Sequence, residues 1–384
     1  MSGRALFCQP RRIGRGAALT LVFASVLVAG AATGSLPEAG GEPRSDGAPP
    51  AVPVGHDVAR AAEEAAADGT SPMEAAQRAV SRSGDRWAAV YSPGEYEEFE
   101  ETLDGRYTGV GLWAREREGR IEVTKVGDDT PAADAGIRAG DRLRSVDGEK
   151  VDGRPVTEVV SLLRGETTGE SAGSTVRLGL ERGTRAWHET VRRVRLSRDT
   201  VTVRELASGV TVVEVGAFTK GSGDEVRTAV REAPAGAGIV LDLRGNSGGL
   251  VAEAVTAASA FLDGGLVATY DVEGEQRALH AEPGGDTTRP LVALVDGGTM
   301  SAAELLTGAL QDRGRAVVVG SRTFGKGSVQ MPTELPDGSV AELTVGHYRT
   351  PSGRGVDGHG LTPDLEADGD ALRRAETVLS GLGR

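Results

Sequence analysis

A single cysteine, Cys8, among 384 residues excludes an intramolecular disulfide framework and any zinc site built on cysteine. Aromatic residues are scarce, at 4%. Histidine is scarce too, with five residues and no pair at metal-ligand spacing, so neither a metal nor a cofactor is expected. Positive charge is in short supply: 43 Lys+Arg face 56 Asp+Glu, a net charge of −13. The first 31 residues hold four arginines and no acid, so the remainder carries −17. A nucleic-acid partner would need a basic face, and this balance argues against one. Glycine, by contrast, is abundant, at 56 residues, but it follows no G-X-Y period, so collagen is excluded and many turns are implied. With 39% hydrophobic and 26% charged residues, the chain can form packed cores, and its length suits two or three domains of about 100–200 residues.

The N-terminus reads as an export segment. Arg4, Arg11, Arg12 and Arg15 precede an uncharged run from Gly16 to Gly34 with an apolar heart from Ala17 to Val28. Ala29-Gly30-Ala31 follows as a small-residue exit. Residues 1–32 are therefore a signal peptide or a membrane anchor, the run 16–34 lying near the lower limit of about 17–25 residues for a span. Either way the rest of the chain is expected outside the cytoplasm, secreted or anchored to the cell membrane.

Residues 33–56 form a linker rich in Pro and Gly. Residues 57–106 open with helical spacing, broken at Gly69-Thr70-Ser71-Pro72, where Ser71 is an N-cap and Pro72 the first helical residue. These helices are Ala-rich and need something else to cover. Residues 107–196 switch to β alternation, clearest in Ile121-Glu122-Val123-Thr124-Lys125-Val126. They add a short helix at Thr130–Ala135, a hairpin turn at Asp147-Gly148 and an amphipathic helix from Val156 to Leu163. Residues 197–370 alternate strands (Val210–Val215, Gly238–Leu243, Leu291–Val295, Ala316–Gly320) with helices (Asp224–Glu232, Val251–Leu262, Ala302–Gln311). That pattern implies a sheet with covering helices. Residues 371–384 are a polar tail, with a short helix from Asp370 to Leu379.

Four segments compete as sites. Gly245-Asn246-Ser247-Gly248-Gly249 fits G-x-S-x-G between a strand and a helix, the context of a nucleophile elbow. Its two glycines at a helix N-terminus also expose N–H groups able to hold an oxyanion. Ser301 likewise follows an apolar strand and opens a helix. A Ser there is commonly an N-cap, yet Thr299 could cap equally and leave Ser301 free. Gly297, Gly298, Ala302 and Ala303 are small enough for a substrate backbone to approach, and the Ala302 N–H points toward the same space. A Ser hydroxyl needs a base; without a well-placed His, a neutral Lys is the alternative. Lys326, between Gly325 and Gly327 and near Phe324 and Val329, offers a stem that burial could neutralise. The fourth segment is the Gly109-Val110-Gly111 loop.

Taken in order, these pieces resemble the carboxy-terminal processing peptidases, the tail-specific serine proteases of family S41, over residues 85–364. Tyr107-Thr108-Gly109-Val110-Gly111 and Thr130 to Asp141 look like a bacterial PDZ domain. Leu241 to Gly249, Ser301-Ala302-Ala303-Glu304, Thr323 to Gln330, Tyr348 to Arg354 and Gly360-Leu361-Thr362-Pro363-Asp364 look like the peptidase segments. The resemblance implies an α/β multidomain chain: N-terminal helices, a β-rich PDZ domain, and an α/β peptidase core like that of crotonases and the caseinolytic protease. It implies Ser301 as nucleophile, Lys326 as general base and Gln330 as the residue orienting the Lys amine. The Ala302 N–H and a Gly248 or Gly249 N–H would hold the oxyanion. Gly109, Val110, Gly111 and Leu112 would hold a substrate's C-terminus. In a straight strand Lys326 and Gln330 would stand about 13 Å apart, so a turn at Gly325 or Gly327 is expected. The expected partners are proteins or peptides with apolar C-termini, with room for a homo-oligomer. Two other readings stay open: a PDZ-bearing scaffold with an inactive peptidase domain, and a hydrolase using Ser247.

Overall fold

The computed structural model describes residues 54–165, 172–272, 275–367 and 369–382. Residues 1–53, which include the stretch read above as a signal peptide or membrane anchor and most of the expected linker, lie outside the described residues. Among the described residues no helix is long and apolar enough to cross a membrane. The described residues divide into two compact units: Thr108–Leu196, and residues 54–107 together with those from Ser197 onward.

In Thr108–Leu196 the strands Leu112–Arg117, Arg120–Val126, Arg142–Val146, Thr175–Arg182 and Arg185–Arg192 form one antiparallel sheet in that order. Alternation puts Ile121, Val123, Leu143, Leu178 and Leu180 into a core closed by Val159, Leu162 and Leu163 of the helix Val156–Arg164. Asp147 (φ 49°) and Gly148 (φ 87°) both adopt the left-handed conformation, as a two-residue type I′ hairpin turn requires. The strand Leu112–Arg117 lies at the sheet edge.

The second unit is built on a six-stranded sheet. Its order is Val201–Glu205, Thr211–Val215, Ile239–Asp242, Leu291–Val295, Val317–Gly320, Leu365–Glu366. All neighbours are parallel except the first pair. The period of two sends Val213, Leu241, Ala293, Val295 and Val318 to one face and Val212, Val240, Val292, Leu294 and Val319 to the other. Helices Ser222–Glu232, Val251–Ala258 and Ala302–Asp312 cover the first face; helix Ala371–Leu382 covers the second. With both faces covered, Leu291–Val295 is buried along its whole length.

A five-stranded sheet joins Ala89–Tyr91, Leu266–Val272, Glu275–His280, Ser328–Glu334 and Val340–Arg349. The helices Val54–Ala67 and Pro72–Ser83 find their cover here: Val58, Ala62 and Ala76 pack on Val90, Leu335, Ala341 and Leu343. Ser71 caps the second helix by accepting from the Glu74 N–H, with Pro72 next. This sheet departs from the simple strand–helix alternation expected for residues 197–370. Its strands mix polar, Gly and Pro positions and leave many side chains half-exposed. Apolar runs therefore could not reveal them. The expected helix over Val251–Leu262 also stops at Ala258.

Candidate active site

Three adjacent parallel strands each deliver one motif from the carboxyl edge of the sheet. Ile239–Asp242 leads into Gly245–Gly249, Leu291–Val295 into Ser301, and Val317–Gly320 into the Thr323–Lys326 loop. Open α/β sheets bind ligands at this edge because the loops there converge.

The Ser301 backbone is strained, with φ 55° and ψ −117° at the mouth of the helix Ala302–Asp312. Such a conformation is costly for a residue with a Cβ and persists only where its surroundings impose it. Ser247 does not adopt it; no residue from Asp242 to Leu250 other than Gly245, Gly248 and Gly249 has positive φ. The strained strand-to-helix turn of an elbow thus lies at Ser301 rather than Ser247. Thr299 is not the alternative cap. Its hydroxyl donates to the Leu243 carbonyl at 2.8 Å and accepts from the Asp296 N–H at 3.0 Å, which ties the Ser301 loop to the glycine loop.

Glu304, three residues into that helix, is fully buried. Its Oε2 accepts from the Ser301 N–H (3.0 Å) and the Lys326 N–H (2.9 Å). Its Oε1 accepts from the Thr323 hydroxyl (2.5 Å) and the Gly325 N–H (2.8 Å). One carboxylate therefore fixes both the Ser301 turn and the Lys326 turn. Burial pushes its pKa above the ordinary value, while these four donors pull the other way. In the sequence Glu304 stands out only as the last residue of Ser301-Ala302-Ala303-Glu304. The signal available was a Glu at the third helical position behind a Ser, the capping-box spacing.

Tyr348 adds a second tie. Its hydroxyl donates to the Ser301 carbonyl (3.1 Å), and its N–H donates to the Gly327 carbonyl (2.9 Å). Gly325 supplies the expected turn, with φ 94°. A Cβ there would stand 2.9 Å from the Gly360 nitrogen, so the Gly360-Leu361 segment braces the lysine loop from behind. Gln330 sits beyond an irregularity at Val329/Gln330, its amide nitrogen donating to the Ser328 (2.8 Å) and Thr344 (3.2 Å) hydroxyls.

Lys326 is 9% exposed. Its Nζ lies 4.8 Å from the centroid of Trp87, and Phe324 meets the same ring edge-on at 5.8 Å. Burial lowers its pKa from 10.5, opposed by the Glu342 and Asp85 carboxylates. The sequence showed no charged neighbour beside Lys326; these two arrive through the fold. Trp87 acts in both directions. Its π-face favours the ammonium by about 0.5–2 kcal/mol, while its bulk keeps water off the amine. Burial outweighs the two carboxylates in that shift, and the Trp87 ring is part of what surrounds the amine. Trp87→Ala should therefore raise the Lys326 pKa and move the acidic limb of the kcat/KM profile to higher pH, with Trp87→Phe close to the parent. A limb that stays in place in Trp87→Ala would show that the ring does not shield the base.

The glycine loop lies against Ser301. A Cβ on Gly248 would stand 2.9 Å from the Ser301 Cβ and 3.2 Å from the Ala302 nitrogen. The Gly248 N–H donates to Asn246 Oδ1 (2.8 Å), and the Gly248 carbonyl accepts from Phe218. Gly249 lies against Phe218, with which it forms a parallel bridge, and the Ala302 N–H opens the helix, where no intrahelical acceptor exists. Among the described residues no group of three or more His, Cys, Asp or Glu could hold a metal ion.

In the other unit, Gly109, Val110, Gly111 and Leu112 form the turn that opens the edge strand. Gly111 has φ 84°, and a Cβ on it would overlap Thr130. The Val110 and Gly111 carbonyls accept from Ala132 and Gly127, respectively. The loop is thereby pinned from the side of the short helix Pro131–Asp134.

Residues 209–367 match the description Peptidase family S41, and residues 122–181 match PDZ domain. The chain is a member of peptidase family S41 with a PDZ domain. It is 35% identical over 308 residues to the carboxyl-terminal-processing peptidase 3, chloroplastic, of Arabidopsis thaliana, covering 75% of this chain and 58% of that protein. To the carboxy-terminal processing protease CtpA of Bacillus subtilis (strain 168) it is 31% identical over 289 residues, covering 74% and 61%. The chain thus spans less than two thirds of these relatives' length. A solved photosystem II D1 C-terminal processing protease superposes with TM-score 0.51 at 29% identity, over 82% of this chain and 86% of that one. The mixed α/β peptidase core and the PDZ domain implied by the resemblance are both present.

Proposed function

We propose that this S41 chain is a serine endopeptidase that cleaves proteins near apolar C-termini, exported by its N-terminal segment. The observation that carries the reading is the shared carboxylate oxygen of Glu304, which holds the Ser301 and Lys326 turns at 3.0 and 2.9 Å. In this mechanism Lys326, its neutral form favoured by burial, takes the Ser301 proton as the hydroxyl attacks the scissile carbonyl. Gln330 orients the amine. The oxyanion is met by the Ala302 N–H and a Gly248 or Gly249 N–H. The protonated lysine then gives its proton to the leaving amine, and water hydrolyses the acyl-enzyme by the same route reversed. The Gly109–Leu112 loop holds the substrate's terminal carboxylate, and the peptide pairs with the edge strand Leu112–Arg117. Export is supported by the four arginines ahead of the apolar run.

A serine-reactive fluorophosphonate should label the parent chain and Ser247→Ala equally and leave Ser301→Ala unlabelled. Labelling lost in Ser247→Ala but kept in Ser301→Ala would move the nucleophile to the glycine loop. Absence of label in the folded parent would favour a binding protein.

A further inference from the structure

The proposed edge-strand pairing has a consequence for specificity, and it rests on the PDZ reading above. Residues paired across an antiparallel ladder share a face, and side chains alternate along each strand. Leu112 and Ala114 face the core, so a docked peptide's terminal side chain joins them on the apolar side. Its penultimate side chain then falls on the opposite face, beside Trp113 and Arg115.

That face is built. Trp113 is 40% exposed and pairs with Lys125 across the ladder. Its ring lies over Gly127, where a Cβ would stand 3.4 Å from the ring edge. Lys125 Nζ sits 5.0 Å from the ring centroid on this platform. Arg115, next along the same face, pairs with Glu122 at 3.1 Å, and Arg117 follows it. The Thr108–Leu196 unit as a whole holds 16 Lys+Arg against 15 Asp+Glu. The acidity of the full chain therefore belongs elsewhere and does not repel an acidic tail here.

We propose that Trp113 and Lys125 form a subsite for the penultimate residue of the substrate, and that it prefers a carboxylate side chain there. The terminal residue stays apolar; the acid is read one position earlier. An exposed charge pair contributes little, so the preference is a bias of about three- to fivefold.

The test uses the full chain carrying Ser301→Ala and fluorescein-labelled decapeptides identical except at their ends: Glu-Val, Ala-Val or Lys-Val, each with a free or an amidated C-terminus. Fluorescence anisotropy at low salt should rank the free peptides Glu above Ala above Lys. Lys125→Glu, at an exposed position where folding is not at risk, should reverse the order, and added salt should flatten it. Amidation should weaken every peptide about ten- to a hundredfold, as loss of a charge-assisted contact does. Equal affinity for Glu-Val and Lys-Val, or an order unchanged in Lys125→Glu, overturns the subsite while amidation sensitivity leaves the carboxylate loop standing. Indifference to amidation overturns both.

Discussion

Ser301→Ala and Lys326→Ala should each reduce peptide turnover by at least about 10⁴-fold, because the members of a nucleophile–base unit fail together. Lys326→Arg should not restore activity. A guanidinium cannot lose its proton in a protein, so it cannot accept one from Ser301 even if it fits under Trp87. The loss should fall on kcat, measured under saturating peptide, since neither substitution removes the edge strand proposed to bind substrate. Turnover in Lys326→Ala within tenfold of the parent would end the dyad mechanism. The pH dependence carries a sign. Lys326 acts only when neutral, and burial lowers its pKa from 10.5. Activity should therefore rise with pH up to that lowered pKa and then level off.

The second large effect is expected at a residue that never meets substrate. Glu304→Ala removes the acceptor for four donors at once. Each buried donor left unsatisfied costs about 1–3 kcal/mol, enough together to unfold a marginal domain. Glu304→Gln is the more informative change. It keeps the volume, but its NH2 must face either the Ser301 and Lys326 N–H groups or the Gly325 N–H, all of which can only donate, so one side of the tie between the two turns is lost. A displacement near 1 Å can cost about 10²-fold in rate. Glu304→Gln should therefore lower kcat about a hundredfold with KM nearly unchanged, alongside a reduced Tm. A folded Glu304→Gln protein with parental kcat would show that the two loops hold their positions without the carboxylate.

Much of this site was legible in order but not in space. Ser301 and Lys326 are 25 residues apart, and the chain alone offers no reason for them to meet. The sheet does: Leu291–Val295 and Val317–Gly320 are parallel neighbours, so their carboxyl-end loops emerge side by side. Glu304 then stitches the loops through backbone N–H groups. Capping-box spacing marks the Ser301 side of this tie, but the Gly325 and Lys326 N–H groups carry no side-chain signature, so nothing in the sequence marks the other side. The five-stranded sheet was hidden for a related reason. Its strands are half-exposed and interrupted, so their pairing is decided by partners distant in the chain, such as Ala89–Tyr91 with Val340 to Glu342.

The sequence by itself determined the segments whose physics is local. Ser71-Pro72 starts a helix, and Asp147-Gly148 turns a hairpin. The apolar runs at Ile239–Asp242 and Leu291–Val295 become doubly covered strands, and glycine at 325 permits a turn. Tertiary structure alone decided the rest. It placed the strain on Ser301 rather than Ser247. It turned the Gly248 N–H to Asn246. It also brought Trp87, Glu342 and Asp85 around Lys326. These outcomes depend on which groups a fold buries together, and burial changes a residue's chemistry only once its distant neighbours exclude water.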